Sequence, residues 1–168
     1  MTADSDQNAV DNAWRIHAAI ADWTKGVDSK ASFVLTIESA VLAGVIALMG
    51  GHRRLAGVEG VFPNLLLYSG ISLLAGAIVL VAWVVRPRTR NKNAKAESPH
   101  NFIYFGHLRF RQPADVERAL QEEDILPMLS RQLVVMGQIA WVKHNQLKWS
   151  LNAALLGTAL VGAAAAVT

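Results

Sequence analysis

Three long stretches of the chain are almost entirely apolar. Their bounds are Ala31–Met49, Leu65–Val85 and Trp149–Val167, and Glu38 is the one charged residue within them. About 20 apolar residues in an α-helix cross the roughly 30 Å of hydrocarbon in a bilayer. This length favours membrane spans over buried helices of a soluble core. We therefore predict an all-α membrane protein with transmembrane helices at residues 31–51, 65–85 and 149–167.

Two further apolar patterns lie outside these stretches and have helical spacing. Intervals of three and four residues separate the apolar members of each pattern, which is typical of a helical seam. The first seam consists of Ala13, Ile16, Ile20, Trp23 and Val27. The second consists of Leu126, Leu129, Leu133, Met136, Ala140 and Leu147, interrupted by Lys143. We predict two helical stalks, the first an amphipathic helix at residues 1–30, each continuous with the span that follows it.

Both stalks enter the membrane from the same side and in the same direction. Parallel seams of this kind pack against one another within a protomer or between protomers. We therefore expect a homo-oligomer, whose number of subunits one chain does not define.

The segment between the second and third spans combines a linker with a small folded region. Residues 86–99 hold five basic residues and one acid without apolar periodicity, which predicts a basic linker that is solvated or contacts anionic lipid. Residues 101–111, NFIYFGHLRFR, alternate aromatic and basic residues around a glycine and predict a short strand or an extended turn. Pro113 is suited to the first turn of a helix, and Asp124 to the cap of the next. We predict a helical, signal-responsive cytoplasmic region at residues 100–148.

The distribution of basic residues predicts the orientation in the membrane. Lys and Arg residues are concentrated before the first span and between the second and third spans. A short loop, residues 52–64, carries fewer of them, including Arg53 and Arg54. Because cytoplasmic loops carry the excess of basic residues, we expect a cytoplasmic N-terminus, an external 52–64 loop and an external C-terminus. Trp83 and Trp149 lie near the expected cytoplasmic boundary, where indole rings are favoured.

Composition excludes several classes of function. Charged residues make up 17% of the 168-residue chain, below the roughly 25% of soluble domains. Cysteine is absent and the five histidines lack metal-ligand spacing, so we expect no metal site. No hydrolase elbow, zinc-protease motif or phosphate loop is present, and we expect neither an enzyme nor catalytic residues. The net charge of +3 is too small to indicate a nucleic-acid partner.

Small residues recur in the third span at intervals of four. They are Ala154, Thr158, Gly162 and Ala166. Such a stripe lets helices approach closely in lipid, but it also follows from the general alanine richness of this span. Both interpretations remain open from the sequence.

Glu38 is the unusual residue of the first span. An acid within a span is energetically costly and is often functional. It could lie towards the cytoplasmic side and reach the interface or stay protonated. It could instead pair with a polar group on another span, or line a path that becomes hydrated when the stalks rearrange. The candidate partners are Tyr68, Ser69, Ser72 and Thr158.

Three segments together resemble the Pycsar effector transmembrane family. They are WTKGVDSKASFVL before and within the first span, NFIYFGHL after the second, and DILPMLSRQLVVMGQIAWVKHNQLKWSLNAA leading into the third. The resemblance extends from about Trp14 onward. Six residues fall on positions of the family pattern: Asp28, Lys30, Gly106, His107, Gln132 and Lys143.

The resemblance implies a function in bacterial anti-phage defence. In such systems a pyrimidine cyclase encoded beside the effector makes cyclic CMP or cyclic UMP on infection. The transmembrane effector responds by impairing the inner membrane, and the infected cell stops supporting the phage. The resemblance therefore implies a bacterial inner-membrane location, a cyclic nucleotide ligand, no cofactor, and the cyclase as functional partner.

A cyclic nucleotide needs a cation for its phosphate, polar groups for its ribose and base, and an aromatic ring for stacking. The candidate cations are Arg109, Arg111 and Arg131, with Lys143 added from the family pattern. Polar candidates are His107, Gln132 and Asn145, and aromatic candidates are Phe102, Tyr104 and Phe105. The chain is too short to include a separate β-barrel domain for cyclic nucleotides, so these short helices would have to form the site.

Two other functions are compatible with the same pattern. One is a constitutive small channel or transporter subunit. The other is a membrane anchor that recruits a soluble partner through residues 100–148.

Overall fold

The computed structural model describes residues 3–50, 60–87 and 94–167. These residues form six α-helices and one 3₁₀ turn, without a β-strand in the described ranges. The helices are α1 Ala3–Met49, α2 Val61–Val85, α3 Ala94–Glu97, α4 Phe105–Leu108, α5 Pro113–Glu122 and α6 Ile125–Ala166, and the 3₁₀ turn is Ser98–His100. The all-α prediction is confirmed.

Three of the helices are long and apolar enough to cross a membrane. They are α1, α2 and α6, with 47, 25 and 42 residues. At 1.5 Å per residue, α2 is about 37 Å long and spans the hydrocarbon by itself. α1 and α6 each contain a predicted stalk and a predicted span in one continuous helix, as the uninterrupted apolar spacing indicated. The chain is therefore a multi-pass membrane protein.

The chain divides into two compact units. We call Gly26–Arg86 with Val142–Thr168 the membrane unit, and Met1–Lys25 with Pro87–Trp141 the stalk unit. Each unit has its own apolar packing and is described by itself.

The membrane unit is held together by two apolar clusters. In one, Val45 of α1 packs with Leu67 and Leu74 of α2 and with Val161 and Ala164 of α6. The other consists of Val27, Ala31, Val81, Val84 and Leu147, again from all three helices. Lipid tails are as apolar as these side chains, so the packing is favoured mainly by close van der Waals contact.

Helices α2 and α6 approach each other closely at two glycines. A Cβ atom added to Gly70 would lie 2.7 Å from the carbonyl oxygen of Gly157, and one added to Gly157 would lie 2.7 Å from that of Gly70. The buried small residues in the part of α6 that belongs to the membrane unit are Ser150, Gly157 and Ala164, seven residues apart. This face differs from the predicted stripe, most of which is exposed. The sequence left open whether the 154–166 stripe packs closely or only reflects alanine richness, and the small residues that pack within the protomer lie on a different face of the helix.

The stalk unit is built around short helices beside the first turns of α6. Phe102, Ala119 and Met128 form its buried cluster. Pro113 begins α5 at its first turn, and the backbone N–H of Leu126 donates to Asp124 Oδ1 at 3.0 Å, so both predicted helix starts are confirmed.

Two local predictions for this unit need correction. Residues 105–108 form α4, a single helical turn, and the 101–111 segment contains no strand. Residues 94–100 also form helical turns, so the second half of the predicted linker is structured. Residues 88–93 of the linker, residue 51 of the predicted first span and residues 52–59 of the predicted external loop, with Arg53 and Arg54, lie outside the described residues. Helix α2 begins at Val61, four residues before the predicted start of the second span at Leu65.

The first predicted seam is buried only in part. Ala13, Ile20 and Val27 are buried, whereas the side chains of Ile16 and Trp23 are 50% and 64% exposed. Buried residues therefore recur every seven positions along this seam, and the seam residues between them, Ile16 and Trp23, are exposed. The second seam is buried or half-buried throughout, and Lys143 belongs to it rather than interrupting it.

Candidate functional site

A charged cluster in the stalk unit joins the short helices to α6. The Glu97 carboxylate lies between two nitrogen-bearing side chains, with Oε2 3.5 Å from His107 Nε2 and Oε1 3.7 Å from Arg131 Nη2. His107 is 5% exposed, whereas Arg131 remains largely accessible. Two acceptor oxygens of one carboxylate thus face two different donors.

This cluster lines a small cavity of about 50 Å³. That volume corresponds to one or two water molecules. The wall also includes side chains that provide hydrogen-bonding groups and an aromatic ring: Asn101, Tyr104 and Gln132. Val135 and Ile139 of α6 form its apolar side. Four of the predicted ligand residues, Tyr104, His107, Arg131 and Gln132, therefore meet at one place.

Packing of the Tyr104 ring explains the glycine of the family pattern. A Cβ atom on Gly106 would overlap Tyr104 Cε1, so the ring occupies the space that any other residue would need. The same ring contacts His107 edge to face, with centroids 5.2 Å apart. Gly106 thus allows Tyr104 to fix the imidazole that faces Glu97.

The other predicted cations have different partners. Arg111 donates from Nε to the carbonyl oxygen of Ser98 at 2.5 Å and from Nη2 to that of Pro99, which ties the 3₁₀ turn to the segment before α5. The Arg109 guanidinium lies 4.5 Å from the centroid of the Phe110 ring. Neither arginine lines the cavity around Glu97.

Three further candidates also lie away from this cavity's wall. Phe102 is buried in the stalk-unit core. Phe105 is exposed beside Tyr104, with ring centroids 4.6 Å apart. Asn145 is exposed and belongs to the membrane unit. The predicted set of polar and aromatic groups is therefore divided among several places.

Two residues of the family pattern pair with each other in the membrane unit. Lys143 Nζ donates to Asp28 Oδ1 at 2.5 Å and links α6 to α1. Lys143 is 5% exposed, and the pair lies beside Val27 and Leu147 of the apolar packing. Lys30 is exposed. Lys143, predicted as a ligand residue, thus joins two helices where they enter the apolar unit.

Glu38, the acid in the first membrane span, is buried and hydrogen-bonded within the protomer. Glu38 is 3% exposed, and Ser150 Oγ lies 2.7 Å from its Oε1 and 3.0 Å from the carbonyl oxygen of Ala77. This contact joins α1, α2 and α6 at one depth. Of the three interpretations of Glu38, pairing with a polar group is the one that this contact matches, and Ser150 was not among the examples named from the sequence.

Sequence reasoning missed Glu97, Asn101 and Ser150. Glu97 had a signal, because it is the one acid in the basic 86–99 segment, and an isolated acid among cations is suited to ion pairing. Asn101 accepts from the backbone N–H of Ile103 at 3.1 Å, a local turn bond that asparagine often forms. Ser150 is a polar residue one position into the third apolar stretch, a site that favours hydrogen bonding between helices.

Comparison with known proteins identifies the family. No curated protein and no solved structure matches the chain. A family model for the Pycsar effector protein domain matches residues 12–168, a range that includes all three membrane-spanning helices, the Asp28–Lys143 pair and the cluster around Glu97. The chain therefore belongs to the Pycsar effector transmembrane family.

Proposed function

We propose that this protein is the membrane effector of a Pycsar anti-phage system. Cyclic CMP or cyclic UMP, made by a neighbouring pyrimidine cyclase, binds the stalk unit on the cytoplasmic side of the bacterial inner membrane. The effector then impairs the membrane, and the infected cell stops supporting the phage. The protein acts without catalysis, as a ligand-controlled membrane component.

The observation that carries this proposal is the position of Glu97 between His107 and Arg131. A cyclic nucleotide phosphate has one negative charge and two free oxygens, as a carboxylate does. Charged oxygen acceptors of this kind pair well with guanidinium and imidazole donors. The phosphate would therefore compete with Glu97 for the same two side chains.

The surroundings of Glu97 provide the other groups that a nucleotide needs. Tyr104 offers a ring for the base, and Asn101 and Gln132 offer donors and acceptors for the base or ribose. These residues come from the turns near residue 100 and from α6, so one ligand would contact both.

The size of the cavity makes binding conditional on movement. A cavity of about 50 Å³ is far too small for a nucleotide. A nucleotide would fit there only after Glu97 has moved away. The ion pair with Arg131 lies at a partly exposed position, where such pairs contribute only about 0–1 kcal/mol. Displacement of Glu97 by a phosphate is therefore energetically accessible.

Helix α6 connects the proposed nucleotide site directly to the third membrane span. Arg131 and Gln132 are on the same helix that continues to Ala166 in the third span. A ligand that replaces Glu97 would change the contacts that hold the cytoplasmic turns of this helix, and the membrane-spanning part of α6 would respond.

Calorimetry on the full-length protein in lipid nanodiscs tests the proposal, with cyclic CMP, cyclic UMP and cyclic AMP as ligands. We expect one cyclic pyrimidine nucleotide to bind. Arg131→Met should weaken it about 10- to 100-fold, since it removes a charge-assisted hydrogen bond. Glu97→Gln should strengthen it severalfold, because the competing charge is removed.

Arg118→Met is the matched control, because Arg118 is exposed and pairs with Asp115 outside the Glu97 cavity. It should bind the nucleotide as the wild-type protein does. Equal weakening by the Arg118 and Arg131 substitutions would contradict the assigned site. Absence of binding to both the wild-type protein and Glu97→Gln would contradict direct sensing.

A further inference from the structure

One face of α6 in the membrane unit is exposed along its whole length. Its members are separated alternately by four and three residues, which is the spacing of a helical seam. We call this face the Asn152 seam, and it consists of Asn145, Trp149, Asn152, Leu156, Ala159, Ala163 and Ala166. The buried residues of the same part of α6 lie around the opposite side of the helix: Lys143, Leu147, Ser150, Gly157, Val161 and Ala164.

Asn152 lies near the middle of the membrane. Ser150 Oγ is 3.0 Å from the carbonyl oxygen of Ala77, which is nine residues, or about 14 Å, from Arg86 at the end of α2. Because α6 runs antiparallel to α2, Asn152 is about 3 Å farther from the level of Arg86. The total of about 17 Å corresponds to the centre of a hydrocarbon layer that is roughly 30 Å thick.

An amide at this depth is unfavourable when it faces lipid, because lipid tails offer it no hydrogen bond. The side chain of Asn152 is exposed on α6, so a single protomer leaves it facing the hydrocarbon. Asparagine side chains in membrane helices characteristically form hydrogen bonds to a neighbouring helix. Asn152 therefore indicates a partner that presents a polar group in the middle of the membrane.

A second copy of the chain meets this requirement. All copies have the same orientation in the membrane, because the distribution of basic residues that sets it is the same in each. Two α6 helices that meet along the Asn152 seam are parallel and place their Asn152 residues at equal depth. One amide can donate to the other and accept from it at the same time. An asparagine in the seam of two parallel helices fixes their register in this way.

The other residues of the seam suit such a contact. Trp149 and Leu156 flank Asn152 and are 58% and 54% exposed, so they supply apolar area for packing. Beyond them Ala159 and Ala163, four residues apart, are exposed and have short side chains. Small residues at this interval allow the backbones of two membrane helices to approach closely.

We propose that a second copy of this chain packs on the Asn152 seam, with the two α6 helices parallel and the Asn152 amides of both copies hydrogen-bonded to each other. The same surface is used on both copies, so the contact is symmetric and closes as a dimer. It does not depend on the proposed nucleotide site.

Association of the full-length protein in lipid vesicles, measured by fluorescence transfer between labelled copies, tests the hydrogen bond. Asn152→Leu should weaken association about three- to tenfold, the range found for hydrogen bonds between membrane helices. Thr158→Val is the matched control. Thr158 is also exposed on α6, but it lies about 120° around the helix from Asn152, and its hydroxyl donates to the Ala154 carbonyl oxygen at 2.8 Å. Its substitution should change association by less than about twofold.

Disulfide crosslinking tests the geometry independently. The chain has no cysteine, so an introduced cysteine can pair only with its counterpart in another copy. Leu156→Cys lies in the seam and should form a disulfide-linked dimer in vesicles, because seam residues of parallel helices face each other. Val79→Cys is the control, since Val79 is 56% exposed on α2 and lies two residues from Ala77, at nearly the depth of Asn152. It should crosslink several times more slowly.

Weaker association of Asn152→Leu alone, together with preferential crosslinking of Leu156→Cys, would support the symmetric contact. Unchanged association of Asn152→Leu, an equal effect of Thr158→Val, or equal crosslinking at both cysteine positions would overturn it. A monomeric wild-type protein would also overturn it and would assign the seam to a different membrane protein. Because neither experiment contains a nucleotide, a negative result here leaves the proposed function to its own test.

Discussion

The pair between Lys143 and Asp28 leads to a quantitative prediction about stability. Lys143 is almost completely buried, and its ammonium group donates to Asp28 at 2.5 Å, whereas the Asp28 side chain is 39% exposed. The two partners therefore differ in how well water can replace the lost contact. Removing either one should have different consequences.

Asp28→Ala leaves a buried ammonium without this carboxylate. Removal of one partner from a fully buried pair costs about 3–5 kcal/mol, and the partial exposure of Asp28 reduces this to about 2–3 kcal/mol. Lys143→Met keeps the packing of the aliphatic part of the side chain and leaves an acid that water can reach. This substitution should therefore lower the free energy of unfolding by about 1 kcal/mol or less. The double variant should resemble Lys143→Met, because no unpaired charge remains.

Unfolding in mixed micelles, followed by the fluorescence of the tryptophans, measures these free energies. Lys30→Ala serves as the control, since Lys30 also lies on a family-pattern position but is exposed, and its effect should be within about 0.5 kcal/mol. A cost of Asp28→Ala no larger than that of Lys143→Met would refute the reasoning. So would a double variant whose destabilisation equals the sum of the two single effects.

Three further substitutions test the packing of each unit. Gly70→Ala should destabilise the membrane unit by about 1–3 kcal/mol, because the new methyl group meets the Gly157 carbonyl oxygen at 2.7 Å, and a micelle unfolding curve would show it. Gly106→Ala should displace the Tyr104 ring, whose atoms the added Cβ would overlap, and nucleotide titration should show weakened or lost binding. Ser150→Ala removes the hydroxyl that faces the membrane-embedded acid, and the same unfolding assay should show a loss of about 1–3 kcal/mol.

Matched changes separate these effects from a general sensitivity of the helices. Gly76→Ala introduces a methyl group with no atom within 4 Å outside its own helix turn, and Gly137→Ala does the same on α6. Both should be neutral or slightly stabilising, since alanine favours the helix by up to about 1 kcal/mol. Destabilisation by Gly76→Ala as large as that by Gly70→Ala would contradict the close approach of α2 and α6. Unchanged binding by Gly106→Ala would contradict the role of the Tyr104 ring.

The helices could be predicted because their signals are local. The apolar stretches, the spacing of the stalk residues, Pro113 and Asp124 each act over a few residues, and the positions of α1, α2, α5 and α6 follow from them, although α2 begins four residues earlier than predicted. Turns at residues 94–100 lacked such a signal. They are held by distant contacts, such as the bonds from Arg111 to Ser98, which periodicity does not reveal.

Partners within the protomer were harder to predict than the helices that carry them. Glu38 was correctly identified as unusual, but its bond to Ser150 depends on the rotation of α1 and α6 about their axes. Asp28 and Lys143 were identified by resemblance without any indication that they form a pair. The same limit applies to Ile16 and Trp23, whose exposure depends on which face of α1 meets the rest of the stalk unit.

We propose that a cyclic pyrimidine nucleotide controls membrane damage by this protein. The most direct measurement is the uptake of a membrane-impermeant dye by bacterial cells that express the chain, with and without a co-expressed pyrimidine cyclase. We expect dye uptake only when both proteins are present, and we expect Arg131→Met to abolish this uptake at an unchanged protein level. Uptake without the cyclase would indicate a constitutive channel, and no uptake in either condition would favour a membrane anchor. Either result would show that the nucleotide does not control membrane damage by this protein.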